Sequence, residues 1–332
     1  MREKTKKEHY VPRCYLDRWG NDKGQVVVYD KKIKSSRVNR IYDVACERYY
    51  YDIDYKELSA KSLKLLKELK MAPEQDEQFM EHFLSEQVED IYSRLLKKIL
   101  DKEITPWYEN NCYFLSETDK LLFSVCIAFQ YIRTKEVRRM ISDASNCLEQ
   151  VFQAMNAPDE MFHKYLIKTG QDKKIQGDML LDAEQICHLT ESFYKLTWIL
   201  GVNRTTNLFY TSDNPIGKRA HVDHPYMTMT GIRSEGVEVF FPLSPKHILF
   251  MYDGAFHKQL APYDRRYVSI DEIEMVENYN WYSTLGSTRC VYSRDGNFAV
   301  IDEMLKRDST VFDLPKMQLS WGGQKFVPKQ EK

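Results

Sequence analysis

Residues 121–129 are apolar on almost every face of a helix, and they sit inside a helical pattern that runs from about residue 117 to residue 155. A helix that is hydrophobic all round has no face for solvent, so this segment has to lie at the centre of the fold. Ser116, with Asp119 three residues on, has the spacing of an N-terminal cap for it. A second long helix is expected over residues 74–100, opened by Pro73. There Met80, Leu84, Val88, Ile91, Leu95 and Ile99 recur at three- and four-residue steps and make one apolar stripe. Pro106 lies beyond its end. The two helices are expected to pack against each other.

Strand material flanks this helical centre. Residues 25–29 are a β-branched run, a polar turn follows at 30–32, and residues 48–51 are aromatic strand material. Helices are expected over residues 57–70, 158–167 and 181–200, the last stopped by Gly201 as a C-cap. Beyond it, residues 208–211, 237–241 and 248–252 read as strands separated by Asn214-Pro215 and Ser244-Pro245 turns. A helix near 270–282, a strand at 290–292 and a polar tail complete the chain. The class is α+β: central long helices, a small N-terminal β element and a β-rich C-terminal part. The expected parts are 1–55, 56–202 and 203–332, in one compact domain.

With 332 residues, 43% of them hydrophobic, the chain can bury a sizeable core. No apolar run approaches the ~20 residues of a membrane span, and MREKTKKEHYVPR has no secretory hydrophobic segment, so a cytoplasmic protein without a membrane partner is expected. The seven scattered cysteines form neither a C-x-x-C pair nor a disulfide framework and read as reduced thiols. Net charge is −1, yet residues 1–40 hold twelve Lys/Arg against five Asp/Glu, whereas residues 71–90 hold seven Asp/Glu and no Lys or Arg. The first block is expected to face a polyanion such as nucleic acid.

The chain contains no G-x-x-x-x-G-K-[ST] loop, G-x-G-x-x-G turn, G-x-S-x-G elbow or H-E-x-x-H helix, so no nucleotide cofactor is expected. His221 and His224 have a metal-binding spacing, as do the helix-face trios Glu184, His188, Glu191 and His82, Glu86, Glu89. All three sets also suit solvated polar surfaces.

The opening His9-Tyr10-Val11-Pro12-Arg13-Cys14-Tyr15-Leu16 resembles the N-terminal signature of the bacterial family called domain of unknown function 4238, with Trp19 in the aromatic place. Further matches follow in order: Val88-Glu89, Gln130-x-x-Arg133, Thr211-Ser212-Asp213-Asn214-Pro215 and Phe241-Pro242-Leu243-Ser244-Pro245. The resemblance spans roughly residues 5–260 and implies no activity, cofactor or catalytic residue.

The chemistry is therefore read from the residues. His9 precedes a proline able to open a helix, whose dipole would keep the ring neutral as base or ligand. Arg133, on the apolar helix, needs an anion: Glu89 or a substrate phosphate. Asp213 ends a strand in a turn, where it either presents chemistry or closes an Asx-turn. If His9, Glu89 and Asp213 converge as catalytic residues, Glu89 and Asp213 would hold Mg²⁺ or Mn²⁺. Arg133, Gln130, Arg13 and Asn214 would then contact substrate, and the tyrosines 49–51 would stack on bases. The leading expectation is a metal-assisted phosphodiesterase or nuclease, toxin-like or serving phage defence, in a chain able to form a homo-oligomer. The alternatives are a non-catalytic nucleic-acid- or protein-binding module, and a hydrolase or transferase acting on a small anionic metabolite, with Arg133 as clamp and His9 as base.

Overall fold

The computed structural model of the chain describes residues 6–74, 76–101, 104–105, 112–168, 170–225, 228–313 and 317–328. Pro106, the first five residues of the basic block and the last four of the tail lie outside the described residues. The chain opens with β1 (Lys7–His9), the short helix α1 (Arg13–Leu16) and the hairpin β2 (Gln25–Asp30) and β3 (Ser35–Arg40). It then returns in β4 (Cys46–Arg48), antiparallel to β1, with His9 opposite Cys46. The strand stops at Arg48 instead of continuing through residue 51. Tyr49 takes a left-handed φ of 54°, which ends an extended run, and the chain turns inward to bury Tyr50 and Tyr51.

Helix α2 (Ala60–Glu68) is capped by Ser59, whose hydroxyl accepts the Ser62 N–H. The acidic helix starts later than residue 74: it comprises α3 (Phe79–Phe83), one π-helical turn (Leu84–Glu89) and α4 (Asp90–Leu100). Its stripe is buried at Met80, Leu84, Val88, Leu95 and Ile99. The central helix α5 (Glu117–Ile132) is capped as its sequence suggests, with the Ser116 hydroxyl accepting the Asp119 N–H, and α4 packs on it.

The expected helix over 117–155 is two helices. Thr134 is extended (φ −72°, ψ 157°) at the N-cap position of α6 (Lys135–Ala154), and the chain changes direction there. Arg133 is still helical, so the break falls at Thr134, and Gln176 donates to the carbonyls of both Ile132 and Thr134 there. Helices α7 (Asp159–Tyr165), α8 (Asp172–Leu181) and α9 (Ala183–Tyr194) follow.

The helix expected over 181–200 ends at Tyr194, and Gly201 is not a cap. It lies inside β5 (Thr197–Asn203), buried at every position. A continuous apolar run buried on both faces cannot be told from a helix by periodicity, and this one is a strand. A Cβ on Gly201 would sit 2.6 Å from Ile270 Cδ1 and 2.7 Å from Phe250 Cε2.

The remaining strands are β6 (Thr211–Ser212), β7 (Gly217–Ala220), β8 (Val237–Ser244), β9 (His247–Tyr252) and β10 (Arg266–Ile270). Helix α10 (Ile273–Gly286), β11 (Cys290–Ser293), α11 (Ala299–Arg307) and the hairpin β12 (Leu319–Trp321) and β13 (Gln324–Phe326) complete the described chain. One sheet has the order β10-β5-β9-β8-β7, antiparallel except for the parallel β10–β5 pair. A four-stranded sheet, β3-β2-β11-β6, joins the N-terminal hairpin to the C-terminal part. The class is α+β. The main core cluster takes Tyr15 and Trp19 from the first 55 residues, Phe123 and Phe193 from the helices, and Phe241 and Val276 from the C-terminal part.

Candidate functional site

Arg133 closes α5 and is only 1% exposed. Its guanidinium meets three oxygens: Nη1 lies 2.8 Å from Glu89 Oε1, Nη2 donates to the His9 carbonyl at 2.6 Å, and Nε donates to the Tyr51 hydroxyl at 3.0 Å. Tyr51 donates its own proton to the same His9 carbonyl, at 3.2 Å. The anion that a buried guanidinium requires is thus a carboxylate of the chain itself, and β1 is tied by its backbone to the end of the central helix.

More titratable groups gather around this pair. Glu8 is completely buried, accepting the Tyr51 N–H at 2.6 Å and the Gln78 amide at 3.0 Å, and its burial raises its pKa. Burial pushes the Glu81 carboxyl up to about 7 against the pull of Arg133, with Glu89 and Glu8 adding to the rise. Burial, then the charges of Arg133 and Arg13, push His9 down to about 4. The neutral imidazole expected from the sequence is present, but His9 is a strand residue and its neutrality comes from desolvation, not a helix dipole.

Several atoms in this interior have no hydrogen-bond partner: Nε2 of His9, both amide atoms of Gln130 and Oε2 of Glu81. Nε2 is thus a buried ring nitrogen without a partner, on an imidazole that desolvation keeps neutral. Buried polar atoms without partners are rare in native proteins, and here they occur on residues of two of the sequence motifs. The π turn falls between Glu81 and Glu89, and such insertions are frequent at functional sites.

Asp213 joins a different arrangement. Its Oδ1 accepts the Thr288 N–H, and its Oδ2 accepts those of Arg289 and Cys290, all at 2.7–2.8 Å. This carboxylate holds the chain at the start of β11. Asn214 likewise ties a turn, donating to the Gly286 carbonyl at 3.0 Å. The motifs nevertheless meet: the Tyr15 hydroxyl contacts Thr211 and donates to the Pro242 carbonyl. Arg13 is exposed, its guanidinium 5.3 Å from the Tyr42 ring, and that ring lies 5.9 Å from His9.

Tyr50 and Tyr51 are interior residues and do not offer faces to bases; of the three, Tyr49 is exposed. In the basic block, Lys7 pairs with Asp43, Arg18 with Asp101 and Arg37 with Asp30, while Lys31 is buried on the carbonyls of Thr284 and Ser287. Glu184 and Glu191 bind Lys61 and Lys195, His82 binds Asp76, and His221 binds the buried Glu238 at 2.6 Å. Among the described residues, no group of three or more His, Cys, Asp or Glu is placed to hold a metal ion. Burial pushes the thiols of Cys14 and Cys126 up to about 12, so neither is an activated nucleophile.

Sequence reasoning missed Glu8, Glu81 and Gln78, and took Tyr51 for a surface residue. Glu8 directly precedes the His-Tyr-Val-Pro motif. Glu81 lies eight residues before Glu89 in the acidic helix, within reach of the charges of Arg133 and Glu89.

The chain belongs to the family described as Protein of unknown function (DUF4238), whose profile matches residues 7–297. No curated protein and no solved structure matches it.

Proposed function

We propose that this family member is an acid–base hydrolase or transferase acting on a small anionic substrate at the group around His9, Glu81 and Arg133. The observation that carries this reading is the buried, partnerless Nε2 of His9, on a ring that burial keeps neutral. Its low pKa leaves the imidazole neutral, with one ring nitrogen carrying a free lone pair, throughout the neutral range. Glu81, at about 7, shares its proton between bound and released forms at the same pH. His9 takes the proton of the attacking water or hydroxyl, and Glu81 returns one to the leaving group. Arg133 positions the backbone of His9, and the exposed Arg13 meets the substrate anion.

The metal-assisted phosphodiesterase expected from the sequence needs Glu89 and Asp213 on one ion. Glu89 is taken by Arg133, and both Asp213 oxygens accept backbone N–H groups, so the metal-free reading has the better support.

The test is turnover of phosphomonoesters, phosphodiesters and carboxylic esters by the wild type, His9→Gln and Glu81→Gln. Expected is activity without added metal, lost in His9→Gln with melting nearly unchanged, and a pH–rate limb near 7 that disappears in Glu81→Gln. Turnover that requires Mg²⁺ or Mn²⁺ and Glu89 would restore the nuclease-type reading. Salt-sensitive nucleic-acid binding with no turnover would leave the binding module.

A further inference from the structure

A concave site lies beside the α5–α6 break, lined by residues of both helices. It is a groove of about 810 Å³, within the ~300–1,000 Å³ range of small-molecule sites. Its floor is apolar: Val137, Met140 and Ile141 from α6, Met179 from α8 and Leu189 from α9. Tyr131 and Ile132 at the end of α5 close one side, and Ile232 and Met317 cover parts of the rim. Three of these residues are methionines, whose unbranched side chains adapt to a flexible ligand.

The polar part of the wall is one-sided in charge. Arg233 donates through Nε to Ser192 Oγ at 2.7 Å and through Nη2 to the His188 carbonyl at 3.0 Å, which fixes the guanidinium at the edge of the apolar floor. Lys218, outside the lining itself, donates to the hydroxyl of the lining residue Tyr131 at 2.9 Å. Among the described residues, no carboxylate lines the groove. The nearest acid contact of Arg233, Glu191, is 3.8 Å away and is held at 2.6 Å by Lys195.

We propose that this groove binds an amphipathic monocarboxylate, with its acyl chain along the methionine-containing floor and its carboxylate on Arg233. An apolar groove edged by a hydrogen-bonded guanidinium, with no acid among its described lining residues, favours an anionic head over a neutral or cationic one, since a carboxylate gains a charge-assisted pair and an ammonium would meet like charge. The inference is independent of the acid–base reading, because none of its groups belongs to that site.

Isothermal titration of the full chain with decanoate, decanol and decyltrimethylammonium tests it. Decanoate should bind about tenfold more tightly than decanol, the scale of one charge-assisted hydrogen bond, and the cation should bind least. Arg233→Gln should bring decanoate to the level of decanol. Ala144→Phe, which fills the groove from an exposed position on α6, should abolish binding of all three with the circular dichroism spectrum unchanged. Equal affinity for the three, or decanoate binding that survives Ala144→Phe, would overturn the assignment. So would absence of binding together with a concentration-dependent dimer that Ala144→Phe disrupts, because the groove would then be covered by a second copy. Flotation with anionic vesicles without affinity for free decanoate would also overturn it.

Discussion

At the residue scale, the polar groups divide by what their oxygens and nitrogens touch. Asp213 has its carboxylate on three backbone N–H groups, so Asp213→Asn turns an NH₂ toward donors it cannot satisfy. The variant should lose about 2 kcal/mol in denaturant melts, and any activity should fall only as far as the folded fraction falls. Loss of activity at full stability would instead place Asp213 in the chemistry. Glu81 leads to a pH dependence. Its folded pKa of about 7 lies above the ordinary 4.5, so its contribution to stability is complete below about pH 4.5 and is lost as pH rises through 7. Glu81→Gln keeps the neutral form at every pH. Its stability relative to wild type should therefore improve by about 2 kcal/mol between pH 5 and pH 8, and a flat difference would show that the carboxyl is hydrated. His9 acts with the opposite sign, losing stability as pH falls from 6.5 toward 4.

At the level of elements, the sequence reading succeeded where periodicity had only one interpretation. The apolar stripe of residues 80–99 and the Ser116 cap are both present because each follows from local spacing and local hydrogen bonds. It failed where tertiary partners decide. Nothing in residues 196–202 distinguishes a buried strand from a buried helix; the choice is made by β9 and β10, which pair on either side of β5. The same holds for the site: Glu89 as the partner of Arg133 was readable from charge and position, whereas Glu8 is brought in by a β1–β4 pairing that no local pattern announces. Gly201 tests the strand directly. Gly201→Ala should cost about 1–3 kcal/mol, since its Cβ would press on the ends of Ile270 and Phe250, while a helix cap would lose stability only through strain at a positive φ that Gly201 does not have.

For the whole molecule, the sheet β3-β2-β11-β6 makes the first and last thirds of the described chain mutually dependent, and the main core is shared by all three parts. Trp19 and Trp198 are both fully buried in it, from different parts. Thermal unfolding followed by tryptophan fluorescence and by far-ultraviolet circular dichroism should therefore give coincident transitions, and an early fluorescence step would show that the N-terminal segment separates on its own. No helix among the described residues is long and apolar enough to cross a membrane.

The interruption of the central helix has a consequence for communication across the molecule. Within three consecutive residues, Tyr131 and Ile132 face the groove while Arg133 faces the carboxylates, and Gln176 grips the carbonyls on both sides of the break. A continuous helix would have spent those carbonyls on its own ladder. Because the joint is clamped from outside, its two faces share one rigid partition. Were occupants of the two faces each to shift that joint, linkage would make the effect of either on the other equal in free energy.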